Sequence, residues 1–433
     1  MEACGVGFSG TYGPTIPPPL RVCEPDGGIL HTAAALTRYG VMMKIVCAPD
    51  SFKGSVSAAA AAAAMARGAR QVLDDAQIVE LPFADGGEGT LDALLAVWQR
   101  DPQTVDTVDA LGRATVARYG LSPQGTTAVI EAAEANGLPQ VSDVALQPRR
   151  ADTHGVGQIA AHVLEAGAEE ILLCIGGSAT TDGGTGILTA LGAQFLDDDG
   201  AEVAPGGQGL ADIARVELGR LDPRAREVRW RIAVDVDNPL TGPEGAAAVF
   251  GPQKGADEDD VAALDAGLGH LAQVLADTTG EAATTGETAT TGETAEHYRS
   301  AAGFGAAGGI PLALVSLLGA DVVPGSTMVA ETVGLAAALA EADLVLTGEG
   351  RLDTQSLGGK VVDAVASRAP EAAAVVVIAG AVQLSPAQCR AAGITAAFSI
   401  APGVAALGEL QAQAAELIEH TAAHCCALAL AGR

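Results

Sequence analysis

The sequence predicts an α/β protein of two domains: a discontinuous, flavodoxin-like parallel-sheet domain with a second α/β domain inserted into it, and the functional cleft between them. Three observations predict this. Short Val- and Ile-rich runs alternate with Ala-rich helical stretches at both ends of the chain, as in a parallel sheet covered by helices. Between them lie short β-like runs separated by Gly and Pro turns, the mark of antiparallel pairing. The parallel-type strands end in polar, glycine-containing loops, where open α/β sheets carry their ligands. At 433 residues the chain is long enough for two cores, and its 48% hydrophobic content rests on Ala, Val, Leu and Gly, with only 3% aromatics.

Residues 1–41 show no sustained periodicity and hold a Pro-rich stretch at Pro14–Pro19. They read as a flexible N-terminal extension or as an over-called start, with Met42 or Met43 as the functional beginning. From Lys44 the pattern is regular. Lys44–Pro49 is an apolar strand, and Ser55-Val-Ser57 caps a long Ala-rich helix running toward Leu73. Ile78–Pro82 is a second strand, followed by the loop 84–90 and a helix through Trp98.

Thr104–Val108, Ala114–Tyr119 and Thr127–Glu131 read as antiparallel strands, Val156–Glu165 as a helix and Ile171–Ile175 as a buried strand. Gly176–Gly184 then opens a helix, and Arg231–Val236 is a further strand. Residues 278–295 repeat TTGEAA, TTGETA and TTGETA, a polar low-complexity segment that reads as a solvated linker. Strands at Leu344–Thr347, Ala374–Ala379 and Thr395–Ile400 resume the parallel pattern. The expected division is 42–82 with 303–433 for the flavodoxin-like domain and 83–277 for the inserted one.

A formal net charge of −29 argues against a nucleic-acid partner. An acidic protein that takes anionic substrates must gather its cations, or a metal ion, in one place. Lysine occurs only at Lys44, Lys53, Lys254 and Lys360, and the last three stand beside glycines or in polar loops. Seven cysteines without a CxxC pair fit reduced thiols, and no apolar run suits a membrane span or a secretory signal. The expected location is the cytoplasm.

Four loops share one design, a strand followed by glycines mixed with hydroxyl, acidic or basic residues. They are Asp50-Ser51-Phe52-Lys53, Asp85-Gly86-Gly87-Glu88, Gly176–Gly184, and Gly348-Glu349-Gly350-Arg351 with Lys360 beyond. Glycine lets a phosphate approach backbone N–H groups, and a helix start favours an anion. The chain has no GxxxxGK[ST] loop, no GxGxxG after the first strand, no GxSxG elbow and no HExxH.

In order, the segments KIVCAPDSFKGSVSA, LPFADGGEGT, CIGGSATTDGGTGILTALG, DVDNPLTGPEGAAAVFGPQKGA, GFGAAGGIPLALVSLLGA and ADLVLTGEGRLDTQSLGGK closely resemble the signature segments of the glycerate kinase type-1 family. The resemblance covers nearly everything from Lys44 onward. It implies ATP-dependent phosphorylation of glycerate, Mg²⁺ dependence and an active cleft between two α/β domains. Two motif departures are Thr181, where the family has an amide before Asp182, and Asp237, where it has a hydroxyl.

Matching positions to the family's motifs gives the expected roles. Lys53, Arg351 and Lys360 neutralise phosphate or the glycerate carboxylate, and Asp182 is the base, with Asp50 the runner-up. Asp50, Ser51, Gly86, Gly87, Ser178 and Thr180 hold the substrate. Gly176, Gly177, Gly348, Glu349 and Gly350 hold ATP, and Asp85, Glu88 and Asp235 hold Mg²⁺. A helix cap is the competing role for Asp182. The resemblance favours 2-phosphoglycerate over 3-phosphoglycerate, with a homodimer as the candidate assembly. The alternatives are a kinase of another small hydroxy acid and a non-catalytic ligand-binding regulator on the same fold.

Overall fold

The computed structural model of the protein describes residues 42–285 and 293–431. The N-terminal extension and the middle of the TTGE repeats lie outside these residues. Within them the strands are β1 (Lys44–Cys47), β2 (Gln77–Glu80), β3 (Gln103–Val108), β4 (Ala114–Leu121), β5 (Thr127–Glu131), β6 (Glu170–Cys174), β7 (Gln194–Leu196), β8 (Arg215–Glu217), β9 (Arg229–Ala233), β10 (Asp321–Val323), β11 (Leu344–Leu352), β12 (Ala374–Val382) and β13 (Ala396–Ser399).

The first sheet has the order β13-β12-β11-β1-β2, with every neighbouring pair parallel. Counted within that sheet the order is 2-1-3-4-5, the flavodoxin-like arrangement. Its topological switch point lies between β1 and β11. The second sheet runs β10-β9-β6-β5-β4-β3; β5, β6, β9 and β10 are parallel, and β4 and β3 fold back antiparallel. β7 and β8 form a separate antiparallel pair.

Strand alternation explains how the layers join. Ile45 and Cys47 face one apolar cluster with Met65, Leu346 and Ile418, while Val46 faces another. That second cluster also holds Val129, Leu172 and Ala233 from the second sheet, so the two sheets share one apolar layer. The helix Ala58–Arg70 begins where the sequence predicts: Ser57 is extended and its Oγ accepts from the Ala60 amide at 3.3 Å.

Three expectations need adjustment. β5 is antiparallel only toward β4 and runs parallel to β6, because the helix His154–Glu165 supplies a crossover between them. Residues after 303 do not return at once to the first sheet: the helix Ile310–Leu318 packs in the second sheet's core and β10 pairs with β9. The linker expected from Thr278 begins as helix, since Glu258–Thr285 is continuous. Leu264, Leu268, Leu271 and Leu275 bury one face of that helix, and the Thr278 and Thr279 hydroxyls donate to the Val274 and Leu275 carbonyls behind them.

Candidate active site

The carboxyl ends of the two sheets meet. At the switch point the Asp50 amide donates to the Gly348 carbonyl at 2.8 Å and the Thr347 hydroxyl to the Ala48 carbonyl at 2.8 Å, which lays the loop after β1 along the second half of β11; the loop expected at 348–351 is strand here, paired with β12 as far as Leu352. The loop after β2 joins them. Gly86 adopts φ +89°, and a Cβ there would lie 2.5 Å from the Gly325 Cα, so this loop rests directly on the chain that follows β10. The Gly325 amide in turn donates to Asp235 Oδ1 at 2.9 Å, fixing the carboxylate beyond β9. Glu131, at the end of β5, accepts from the Gly89 and Leu91 amides at 3.0 and 2.8 Å and anchors the loop 84–90 from the second sheet.

Four carboxylates therefore gather, Asp50, Asp85 and Asp235 from the segments after β1, β2 and β9 and Glu349 from within β11. Asp50 is influenced by Asp85 and Glu349, and Asp235 by Asp85. Lys360 bears on Asp235 and Glu349, and Lys53 on Asp50. Burial raises Asp50 from its ordinary 3.8 to about 7, with Asp85 adding to the rise; the Ser51 amide, 2.6 Å from Oδ1, and Lys53 oppose it. Burial likewise raises Asp235 and Glu349, and Glu349 Oε1 is buried without a hydrogen-bond partner.

Beside this cluster lies a cavity of about 430 Å³. Gly86, Gly87, Gly176, Gly177, Ser178 and Asp235 line its polar side, and Leu138, Pro139, Ile175 and Phe250 its apolar side. Lys254, which sequence reasoning noted for its rarity but gave no role, is also in the wall. A second groove, of about 350 Å³, runs past Ser51, Lys53, Glu88 and Asp92.

The structure thus brings together Asp50, Ser51, Asp85, Asp235, the Gly348–Gly350 stretch of β11 and Lys360 at the switch point, and Gly86, Gly87, Gly176, Gly177 and Ser178 around the cavity. Lys53, in the wall of the second groove, and Arg351, in β11, are both exposed, and neither is in an ion pair among the described residues. Three assignments sit elsewhere. Glu88 lines the groove with Lys53 and takes no part in the carboxylate cluster. Thr180 is fully buried, its hydroxyl accepting from Asn136 Nδ2 at 3.2 Å. Asp182 is fully buried too. Its Oδ2 accepts from the Thr153 amide, the Thr153 hydroxyl and the Gly186 amide at 2.9, 2.8 and 3.2 Å, and its Oδ1 from the Gly184 amide at 3.1 Å. Those bonds tie the Gly176–Gly184 loop to the start of the helix His154–Glu165 and leave no oxygen facing the cavity. Glu131 was missed as well, though a carboxylate ending an otherwise apolar strand was the signal for it.

Comparisons with known proteins identify the family. Residues 45–430 match the model of the glycerate kinase family. The chain is 42% identical to a glycerate kinase of Bacillus subtilis (strain 168) over 382 residues, 88% of this chain and 96% of the relative. It is 39% identical to a glycerate 2-kinase of Escherichia coli (strain K12) over 368 residues, 85% of this chain and 93% of the relative. The crystal structure of a candidate glycerate kinase 2 from Salmonella typhimurium LT2 superposes with a TM-score of 0.80 at 39% identity, over 90% of this chain and 99% of that one. With a family model spanning most of its length and relatives near 40% identity over almost their whole extent, this chain belongs to the glycerate kinase family.

Proposed function

We propose that the protein transfers the γ-phosphoryl group of ATP to the 2-hydroxyl of D-glycerate, giving 2-phosphoglycerate and ADP. The observation that carries this reading is the meeting of strand ends, where carboxylates and Lys360 stand beside a glycine-walled cavity large enough for a nucleotide. Phosphoryl transfer asks mainly for positioning, neutralised charge and a proton acceptor. A relative with the same segments acts at the 2-position by its name.

Asp50 is the acceptor in this reading, in place of the buried Asp182. It stands at the switch point, and burial holds its carboxyl near the working pH, where a base is most effective. As the new P–O bond to glycerate forms and the bond to the β-phosphate oxygen breaks, Asp50 takes the hydroxyl proton. Lys360 and Arg351 face the glycerate carboxylate or the transferred phosphoryl group, and Lys53 adds charge at the rim.

Mg²⁺ fits the residues present in a limited way. Among the described residues no three His, Cys, Asp or Glu side chains group closely enough to hold an ion alone. The partnerless Glu349 Oε1, with Asp85 or Asp235, suits an ion that keeps waters and shares itself with substrate phosphates. When bound it would neutralise charge on the β- and γ-phosphates. Two domains with the chain returning to the first sheet between β10 and β11 are part of this proposal, as is a cytoplasmic setting. The latter is supported by the free thiols Cys47, Cys174, Cys389, Cys425 and Cys426, and no described helix is long and apolar enough to cross a membrane.

Phosphorus NMR of the product from ATP and D-glycerate tests the reading: one resonance for 2-phosphoglycerate is expected. A 3-phosphoglycerate signal would correct the position, and glycerate binding without product would make the protein a ligand sensor. Within the site, Lys360→Ala should lower kcat/KM by about 2–4 kcal/mol of transition-state stabilisation, the loss typical of one electrostatic donor. Lys53→Ala should cost less, because its exposed ammonium is screened by water. Equal effects in steady-state kinetics would contradict that ranking.

A further inference from the structure

Lys254 is the most unusual cation in the molecule. Its side chain is 2% exposed, yet no carboxylate among the described residues lies within ion-pairing reach of it. Nζ donates to the Ser178 hydroxyl at 3.3 Å and the Thr180 carbonyl at 2.5 Å, two neutral acceptors, while an ammonium can donate three bonds. A buried charge is costly unless it is paired, so a lysine kept there calls for an anion that the chain does not itself supply.

The surroundings say where that anion sits. Lys254 and Ser178 both line the 430 Å³ cavity, together with the Gly176–Gly177 backbone that leads into Ser178. Asp182 is the acidic group that bears on Lys254, but all its hydrogen bonds go to the Thr153, Gly184 and Gly186 donors. Burial holds the Lys254 amine down to about 8, with Asp182 working against the shift, so near neutral pH it still carries its proton and is ready for a negative ligand. Ala307, in the same wall, is held at φ 49° and ψ 37°, a conformation costly for a residue with a Cβ and frequent where a wall is shaped for a ligand.

We infer that Lys254 binds a phosphate of the nucleotide, acting with the Ser178 hydroxyl as a buried anion clamp on the side of the cavity away from the switch point. The inference rests on the kinase reading above and adds to it a division of labour. Lys360, Arg351 and Lys53 serve the acceptor side, and Lys254 the donor side. The apolar wall of Leu138, Pro139 and Phe250 is then the place for the base.

The test is calorimetric binding of ADP, tripolyphosphate, adenosine and D-glycerate to the full chain and to Lys254→Met, with circular dichroism and thermal melting as the check on folding. Lys254→Met should weaken ADP and tripolyphosphate by about 10- to 100-fold, the range for losing a bond to a charged group, and leave adenosine and glycerate unchanged. Lys254→Arg should recover part of the loss. ADP affinity within about threefold of the unmodified protein, equal loss of ADP and adenosine, or a loss confined to glycerate would each overturn the assignment.

Should the Met variant fail to fold, the unmodified protein still decides the matter. With only four lysines in the chain, ¹³C-lysine labelling gives a readable spectrum. The buried Lys254 resonance should move on adding tripolyphosphate and stay in place on adding adenosine; the reverse pattern refutes the clamp. Failure of the unmodified protein to bind ADP at all, or to form phosphoglycerate, would count against the kinase reading instead.

Discussion

Asp50→Asn should lower kcat by about 10²–10⁴-fold, the usual loss on removing a general base, with little change in glycerate affinity. The amide is close in size and can still accept from the Ser51 amide that now lies 2.6 Å from Oδ1. What it cannot do is take a proton from the acceptor hydroxyl. In the unmodified enzyme the same carboxyl gives a pH signature. Because burial and Asp85 raise it to about 7, kcat/KM should climb as pH rises through that value and level off above it. The stability consequence has the opposite direction. The folded carboxyl holds its proton more tightly than the unfolded chain does, at an ordinary 3.8, so its contribution to stability is full below that pH and is lost as pH rises through about 7. Asn cannot ionise, so melting temperatures at pH 8 should match or exceed those of the unmodified protein. Full turnover in Asp50→Asn would place the base elsewhere, and a large drop in melting temperature would make Asp50 a structural residue.

The fold was legible where one kind of physics decided each segment. Continuous apolar runs such as Leu172–Cys174 can only be strands covered on both faces, and Ser57 before seven alanines can only begin a helix. Connectivity was less legible. Nothing local to Asp321–Val323 says that it pairs with β9 rather than returning to the first sheet, since that depends on where the helix Ile310–Leu318 finds its core. For the site, the glycine-carboxylate loops were visible one at a time. Their meeting was not, because Asp50, Asp85, Asp235 and Glu349 are spread over some 300 residues of chain and are joined by contacts such as Gly86 on Gly325. Burial was the property the sequence hid most fully. Asp182 and Lys254 both stand in glycine-flanked polar motifs that look exposed, and both are inside the protein.

Asp182→Asn is therefore expected to behave as a stability variant, contrary to the role the motif position suggested. The carboxylate satisfies four donors with two oxygens, three of them on Oδ2. An amide can place its oxygen toward those three, but its NH₂ then meets the Gly184 N–H, leaving that donor unpaired in a fully buried place. The cost should be about 1–3 kcal/mol. Asp182→Ala orphans all four donors and should lose more, roughly 4 kcal/mol or above, near the upper end for single substitutions. Urea midpoints of both variants measure this directly. Turnover per folded molecule should fall less than about tenfold in Asp182→Asn, since no oxygen of the side chain faces the cavity; loss of a base would cost far more. The two outcomes separate cleanly when paired with Asp50→Asn. Should Asp182→Asn abolish turnover at an unchanged urea midpoint while Asp50→Asn stays active, the proton would have to leave through Asp182. The loop 176–184 would then have to open for catalysis, breaking the bonds from Thr153 that hold it closed in this structure.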